Sequence, residues 1–220
     1  MNLLILSIAP VVVLAFYIFY RDKYEREPFG MLLKAIVSGM IIVLPIIILE
    51  KFISVFSPQY GVTKGFYQAF LVAGFSEELF KFLAFMLVIW RNKNFNEKFD
   101  GIIYAAFISL GFAVVENILY VFESGTQVAY LRAFTAVPGH ALFGVTMGYY
   151  LGLAKFFPDK RKLYLSRAFL EPFVLHGVYD FILMAGQPRL LGLFIPYILY
   201  LWFIGLRRIK HLSNISIYRK

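Results

Sequence analysis

Ionisable side chains stand in the middle of four stretches apolar enough to lie in lipid: Glu77-Glu78-x-x-Lys81, Glu116-Asn117, His140 and His176-x-x-x-Asp180. Carboxylates and imidazoles are the groups that activate water, shuttle protons or ligate a metal. A charged residue at a helix centre in a bilayer costs about 2.5–3.5 kcal/mol on insertion scales, so five standing alone would cost on the order of 10 kcal/mol. Residues of this kind are retained where they meet in a protein-lined interior. The pattern therefore predicts one polar site inside a membrane.

The spacings give the residues roles. Glu77 and Glu78 differ by about 100° around a helix, with Lys81 at i+4 and i+3. Lys81 is expected to neutralise one carboxylate and leave the other as a general base. A structural ion pair needs a single Glu, so the doubling favours chemistry. His176 and Asp180 are i, i+4 on one face, where the carboxylate can fix the imidazole tautomer. His140 opens a stripe with Gly144 and Gly148, a small-residue pattern for close helix packing, after a Pro138-Gly139 pair expected to loosen the backbone. The pair Glu116-Asn117 is open to roles as ligand, base or hydrogen-bonded helix pair.

The chain has 220 residues, of which 60% are hydrophobic and only 16% charged, and its mean hydropathy is +0.73. Soluble domains are about a quarter charged. The apolar runs suit spans at 1.5 Å rise per residue across about 30 Å of hydrocarbon. They predict helices over Leu3–Tyr20, Met31–Glu50, Phe66–Trp90, Gly101–Phe122, Ala129–Leu153, Ala168–Ala185 and Leu190–Leu206. The first is read as a retained helix, since no basic residue precedes it and no small-residue cleavage site follows. With no repeat and no linker, residues 1–220 read as a single polytopic membrane domain. The class is all-α, a bundle of about seven transmembrane helices.

Lys and Arg are distributed unevenly between alternate loops, seventeen on one side against Lys51, Lys64 and Arg189 on the other. The positive-inside rule then places the N-terminus outside and the C-terminus in the cytoplasm. On this topology all four polar clusters fall at the middle-to-outer depth, as one shared site requires. The charged loop from Arg21 to Pro28 reads as a solvated cytoplasmic turn. The net charge of +9 follows the membrane flanks and implies no nucleic acid as a partner; the lipid bilayer is the expected one. The absence of cysteine excludes disulfides, thiolate nucleophiles and iron–sulfur clusters. His-Glu-x-x-His, Gly-x-Ser-x-Gly and Gly-rich phosphate loops are also absent.

Five motifs in order carry a resemblance over nearly the full length. They are Glu77-Glu78-Leu79-Phe80-Lys81, Phe99-Asp100-Gly101, Gly111-Phe112-Ala113 through Glu116-Asn117, His140-Ala141-Leu142-Phe143-Gly144 and His176-Gly177-Val178-Tyr179-Asp180, preceded by the loop Lys23-Tyr24-Glu25-Arg26-Glu27-Pro28. In these the chain resembles the PrsW family of intramembrane proteases, itself distantly similar to CAAX prenyl endopeptidases and bacteriocin-processing membrane proteases. It departs from the wider group at Glu116, where many of those enzymes carry His. The resemblance implies a bacterial multi-pass cell-membrane enzyme making the site-1 cut in a single-pass anti-sigma factor.

The expected catalytic residues are Glu77, Glu78, His176, His140 and Glu116, supported by Lys81, Asn117 and Asp180. In one reading glutamate-activated water attacks the peptide bond and no cofactor is needed. In the alternative, zinc is held by His140, His176, Glu77 or Glu78, and Glu116. A proton-coupled transporter and a non-catalytic membrane scaffold are the competing classes for the same residues.

Overall fold

The computed structural model describes residues 2–219, and among these every regular element is helical. Helix α1 (Leu3–Arg21) is capped by Asn2, whose Oδ1 accepts the Leu4 N–H at 3.0 Å. Helices α2 (Phe29–Ile41) and α3 (Val43–Ser54) form one apolar span broken at Ile42. Pro45 supplies the cause, because it has no N–H to bond back across the break. The next span comprises α4 (Gly61–Phe66), a π-helical segment (Tyr67–Gly74) and α5 (Phe75–Val88). Helix α6 (Lys98–Ser124) starts with a capping box between Glu97 and Asp100 and ends at Gly125, whose φ of +83° suits glycine.

Helix α7 (Thr126–Phe134) turns at Thr135 into α8 (Ala136–Phe156). Pro138 occupies the first turn of α8, where a missing N–H costs little; the backbone there is helical rather than loosened. Helix α9 (Arg161–Met184), the short α10 (Pro188–Leu191) and α11 (Phe194–Asn214) complete the chain.

Four stretches are long and apolar enough to cross a membrane: Leu3–Arg21, Phe29–Ser54, Lys98–Ser124 and Pro188–Asn214. Their surroundings differ. Of the apolar window of α6, 78% is buried by protein, against 11–33% in the other three. Helix α6 is therefore the central post, and the rest present large apolar side chains outward, among them Val13, Phe16, Leu44, Ile48 and Phe203. An outer surface of this kind suits lipid.

Small residues set how closely helices approach the post. A Cβ added to Gly148 of α8 would lie 2.1 Å from the Gly101 carbonyl oxygen, and one on Gly39 of α2 would lie 2.0 Å from that of Ile108. Glycine alone permits these backbone contacts. The stripe expected from Gly144 and Gly148 thus packs α8 on α6, and it carries His140 to the centre.

Candidate active site

Glu77 and Glu78 open α5 directly after the π-helical segment. That segment crosses α9 where Gly177 lies under the Phe70 ring; an added Cβ there would meet the ring at 2.3 Å. The crossing sets the glutamate pair beside His176. Widened π turns recur at functional sites, and no Pro or repeat in the sequence marked this one.

All seven expected residues with ionisable side chains meet here, together with Asn117. Lys81 is fully buried and bridges both carboxylates, at 3.0 Å from Glu77 Oε2 and 2.8 Å from Glu78 Oε1. The expected division, with one carboxylate neutralised and the other left over, is therefore replaced by a shared ammonium. Lys81 Nζ also lies 3.3 Å from His140 Nδ1 and 4.4 Å from the Phe112 ring centre.

The two histidines are arranged alike. The Nδ1 atoms of His140 and His176 face Glu77 Oε2 at 3.8 and 3.9 Å. On the far side of each ring Nε2 meets a carboxylate: Glu116 Oε2 at 2.8 Å for His140, and Asp180 Oδ2 at 3.2 Å for His176. His176 Nδ1 also lies 3.0 Å from Glu78 Oε1 and its ring stacks on Phe143, with centres 4.8 Å apart. A carboxylate behind an imidazole fixes its tautomer and orientation.

Arg132 of α7 was not expected from sequence. Its guanidinium pairs with Glu116 Oε2 at 2.5 Å and donates to Asn117 Oδ1 at 2.9 Å, and Asn117 donates in turn to the Ser7 carbonyl at 2.8 Å. Asn117 thus ties the site to α1 rather than reaching into it. An arginine in a run reading Ala129-Tyr130-Leu131-Arg132 was the available signal, since a membrane-flanked Arg usually has a partner. Glu50, which lines the same cavity, was likewise not expected from sequence.

These groups adjoin a cavity of about 500 Å³. Glu77, Glu116, His140, His176 and Asp180 line it, whereas Glu78 is fully buried behind them, with its Oε2 lacking any partner among the described residues. Glu50, Leu119 and Met184 line other parts of the cavity wall.

Glu77, His140 and His176 each place a ligand-type atom within 4.8 Å of the others. Two imidazoles and a carboxylate form a donor set of zinc peptidases. The carboxylate behind each imidazole adds to the fit. The residues therefore suit a divalent metal, with Lys81 as its competitor for Glu77 and His140.

Residues 27–206 match the family described as PrsW family intramembrane metalloprotease. The chain is 40% identical to Protease PrsW of Oceanobacillus iheyensis, with 99% of each chain covered. It is 37% identical to Protease PrsW of Bacillus subtilis strain 168, covering 96% of this chain and 95% of the relative. For Protease PrsW of Clostridioides difficile strain 630 the identity is 39%, over 98% and 93%. No solved structure shows a significant match. With its apolar spanning helices and buried Glu/His group, the chain belongs to the PrsW family of intramembrane metalloproteases and is a multi-pass bacterial membrane peptidase.

Proposed function

We propose that the chain makes the site-1 cut in a single-pass anti-sigma factor, hydrolysing a peptide bond at the Glu77, His140 and His176 group. The observation that carries this reading is the convergence of both Nδ1 atoms on Glu77 Oε2, each imidazole backed by a carboxylate. Seven spans, with the N-terminus outside and the C-terminus cytoplasmic, would set this group toward the extracytoplasmic side. The lysine and arginine asymmetry between loops supports that orientation.

The chain's own residues have separable roles. Glu77, the member of the pair that lines the cavity, meets the water. Glu78, shielded behind it, holds Lys81 and His176 in place. His140 and His176 present Nδ1 to the reacting region, and Glu116 and Asp180 keep them there. Arg132 holds Glu116. Zinc at Glu77, His140 and His176 would supply Lewis-acid polarisation and make water acidic enough to deprotonate near neutral pH. The remainder of the cavity wall, mostly apolar with Glu50 in it, suits an unwound stretch of a substrate helix, because a peptide bond must leave its helix before water can reach the carbonyl carbon.

A second reading is favoured by the position of Lys81. Its ammonium already takes Glu77 Oε2 and His140 Nδ1, the atoms a metal would need. In that case Glu77 removes a proton from water, the hydroxide adds to the carbonyl carbon, and the C–N bond breaks as the amine takes up a proton. His140 and His176 then stabilise the oxyanion and supply that proton.

One experiment tests both. The purified protein is reconstituted with a single-pass anti-sigma factor, and wild type is compared with Glu77→Gln, Glu78→Gln and His176→Ala, with chelator and after zinc is restored. Cleavage by wild type that chelator stops and zinc recovers supports the metal reading. Cleavage indifferent to chelator leaves the glutamate reading. Intact substrate with folded wild type, or cutting by Glu77→Gln, would overturn the assignment.

A further inference from the structure

Five carboxylates gather where the α1–α2 connection meets the start of α6; the turn expected to be solvated exposes Lys23, Tyr24 and Arg26 but buries Asp22 and Glu27. Asp22 and Glu27 are 1% and 4% exposed, and Glu97 and Asp100 are 3% and 0%; Glu25 is half-buried. Among the described residues, none of the five forms an ion pair. The neighbouring bases turn to aromatic rings instead, Arg26 to Phe19 at 5.5 Å and Lys98 to Phe156 at 5.8 Å. Buried charge without a partner is strongly disfavoured.

The carboxylates are held at one oxygen and bare at the other. Asp100 Oδ2 accepts the N–H groups of Asn96 and Glu97 at 2.8 and 2.7 Å. Asp22 Oδ2 accepts the Glu27 N–H at 3.2 Å, Glu25 Oε1 accepts the Asn96 amide at 3.1 Å, and Glu27 Oε2 accepts the Tyr104 hydroxyl. The second oxygens, Asp22 Oδ1, Glu25 Oε2, Glu27 Oε1 and Asp100 Oδ1, are sealed from solvent without a partner among the described residues, as is Asn96 Oδ1. Glu25, Glu27 and Asp100 bring one oxygen each within 4.8 Å of one another.

Every unsatisfied donor atom here is an oxygen, and neither imidazole nor thiolate is present. Such a set selects hard cations over zinc. We propose that Glu25, Glu27 and Asp100, with Asp22 and Asn96 beside them, form a structural site for a hard divalent cation, Mg²⁺ or Ca²⁺. The ion fastens the α1–α2 connection to the start of α6. Glu97, whose Oε2 accepts the Ser216 hydroxyl at 2.6 Å, adds the C-terminal segment to the same junction. Asp100 and Glu116 are 16 residues apart on α6, about 24 Å along the helix, so this site is distinct from the Glu/His group.

The test uses the full chain in detergent, stripped with chelator, with the thermal midpoint followed against Mg²⁺, Ca²⁺ and Zn²⁺ separately. Mg²⁺ or Ca²⁺ at saturation is expected to raise the wild-type midpoint by about 5 °C. The ion acting at the lower concentration is the ligand. Glu25→Gln, at the half-buried margin and the variant most tolerant of folding, should raise the half-saturating concentration at least about tenfold. Asp100→Asn should abolish the response, and Glu77→Gln should leave it unchanged. The proposal is overturned if neither ion moves the wild-type midpoint, if Glu25→Gln responds as wild type does, or if Glu77→Gln removes the response. It is equally overturned if Glu25→Gln and Glu27→Gln are more stable than wild type and no variant senses an ion, because shared protons would then hold the carboxylates.

Discussion

Two clusters of buried acid, at opposite ends of α6, are neutralised in opposite ways. Around Glu77 and Glu78 the chain supplies its own cations: Lys81 between the pair, Arg132 on Glu116, and imidazoles facing every carboxylate of the group. Around Glu27 and Asp100, acids of the α1–α2 connection meet the start of α6, while Arg26 and Lys98 turn to aromatic rings. The difference follows from surroundings. A cluster enclosed by spanning helices carries most of its counter-charge in its own side chains. A cluster where helices begin and end can draw a cation from water. The built-in arrangement also orients both imidazoles, each held at Nε2 by a carboxylate and met at Nδ1 by Lys81 or Glu78.

The largest expected effect breaks the first cluster alone. Glu77→Gln or His176→Ala should lower peptide cleavage by on the order of 10³-fold or more, with the thermal response to Mg²⁺ or Ca²⁺ retained; cleavage rates and melting curves of one preparation check both halves. Next is the contact that joins the clusters. Gly148→Leu drives a side chain against the Gly101 backbone, one residue from Asp100, and should destabilise the bundle by about 1–3 kcal/mol. A melt should show lost stability together with weaker ion response and weaker cleavage. A fall in only one of them would show that α8 does not couple the two.

Smaller losses sharpen the roles within the first cluster. Asp180→Asn keeps the size of the side chain but weakens its hold on His176, and a 10–100-fold loss of activity or metal affinity is typical of such a change. Metal content per chain and kcat/KM should fall together if the metal reading is right. Arg132→Gln leaves Glu116 with His140 as its remaining ion-pair partner, and a fall in kcat/KM of about tenfold is expected, equal to about 1.4 kcal/mol. Arg132→Lys should recover part of it. An Arg132→Gln enzyme as active as wild type would show that Glu116 needs only His140.

The candidate site was legible because charge inside an apolar run has few explanations. Glu77, Glu78, Lys81, Glu116, His140, His176 and Asp180 were each marked by that conflict, and the i, i+4 spacing of His176 and Asp180 already implied their contact. Arg132 was not marked, since it stands at the start of the span expected over Ala129–Leu153, where a charge suits a membrane flank. The loop from Arg21 to Pro28 misled for the opposite reason: alternating charges look solvated in sequence, and only packing against Asn96, Asp100 and Tyr104 shows that two of its acids are buried. The helix breaks followed local chemistry in part. Pro45 explains the interruption at Ile42, but the π segment before Glu77 has no local signature because it arises where Phe70 meets Gly177 on α9.

Composition and periodicity by themselves determined an all-helical membrane protein with acids and imidazoles in its interior, because the cost of burying charge in lipid depends on residue type and run length alone. Tertiary structure decided which of those groups touch. The sharing of Lys81 by both glutamates, the pairing of Glu116 with Arg132 and the gathering of bare oxygens around Asp100 are contacts between segments far apart in the chain or rotamers chosen within a packed core. Such choices depend on how closely the glycine-lined helices approach one another, and that distance is set by the whole bundle.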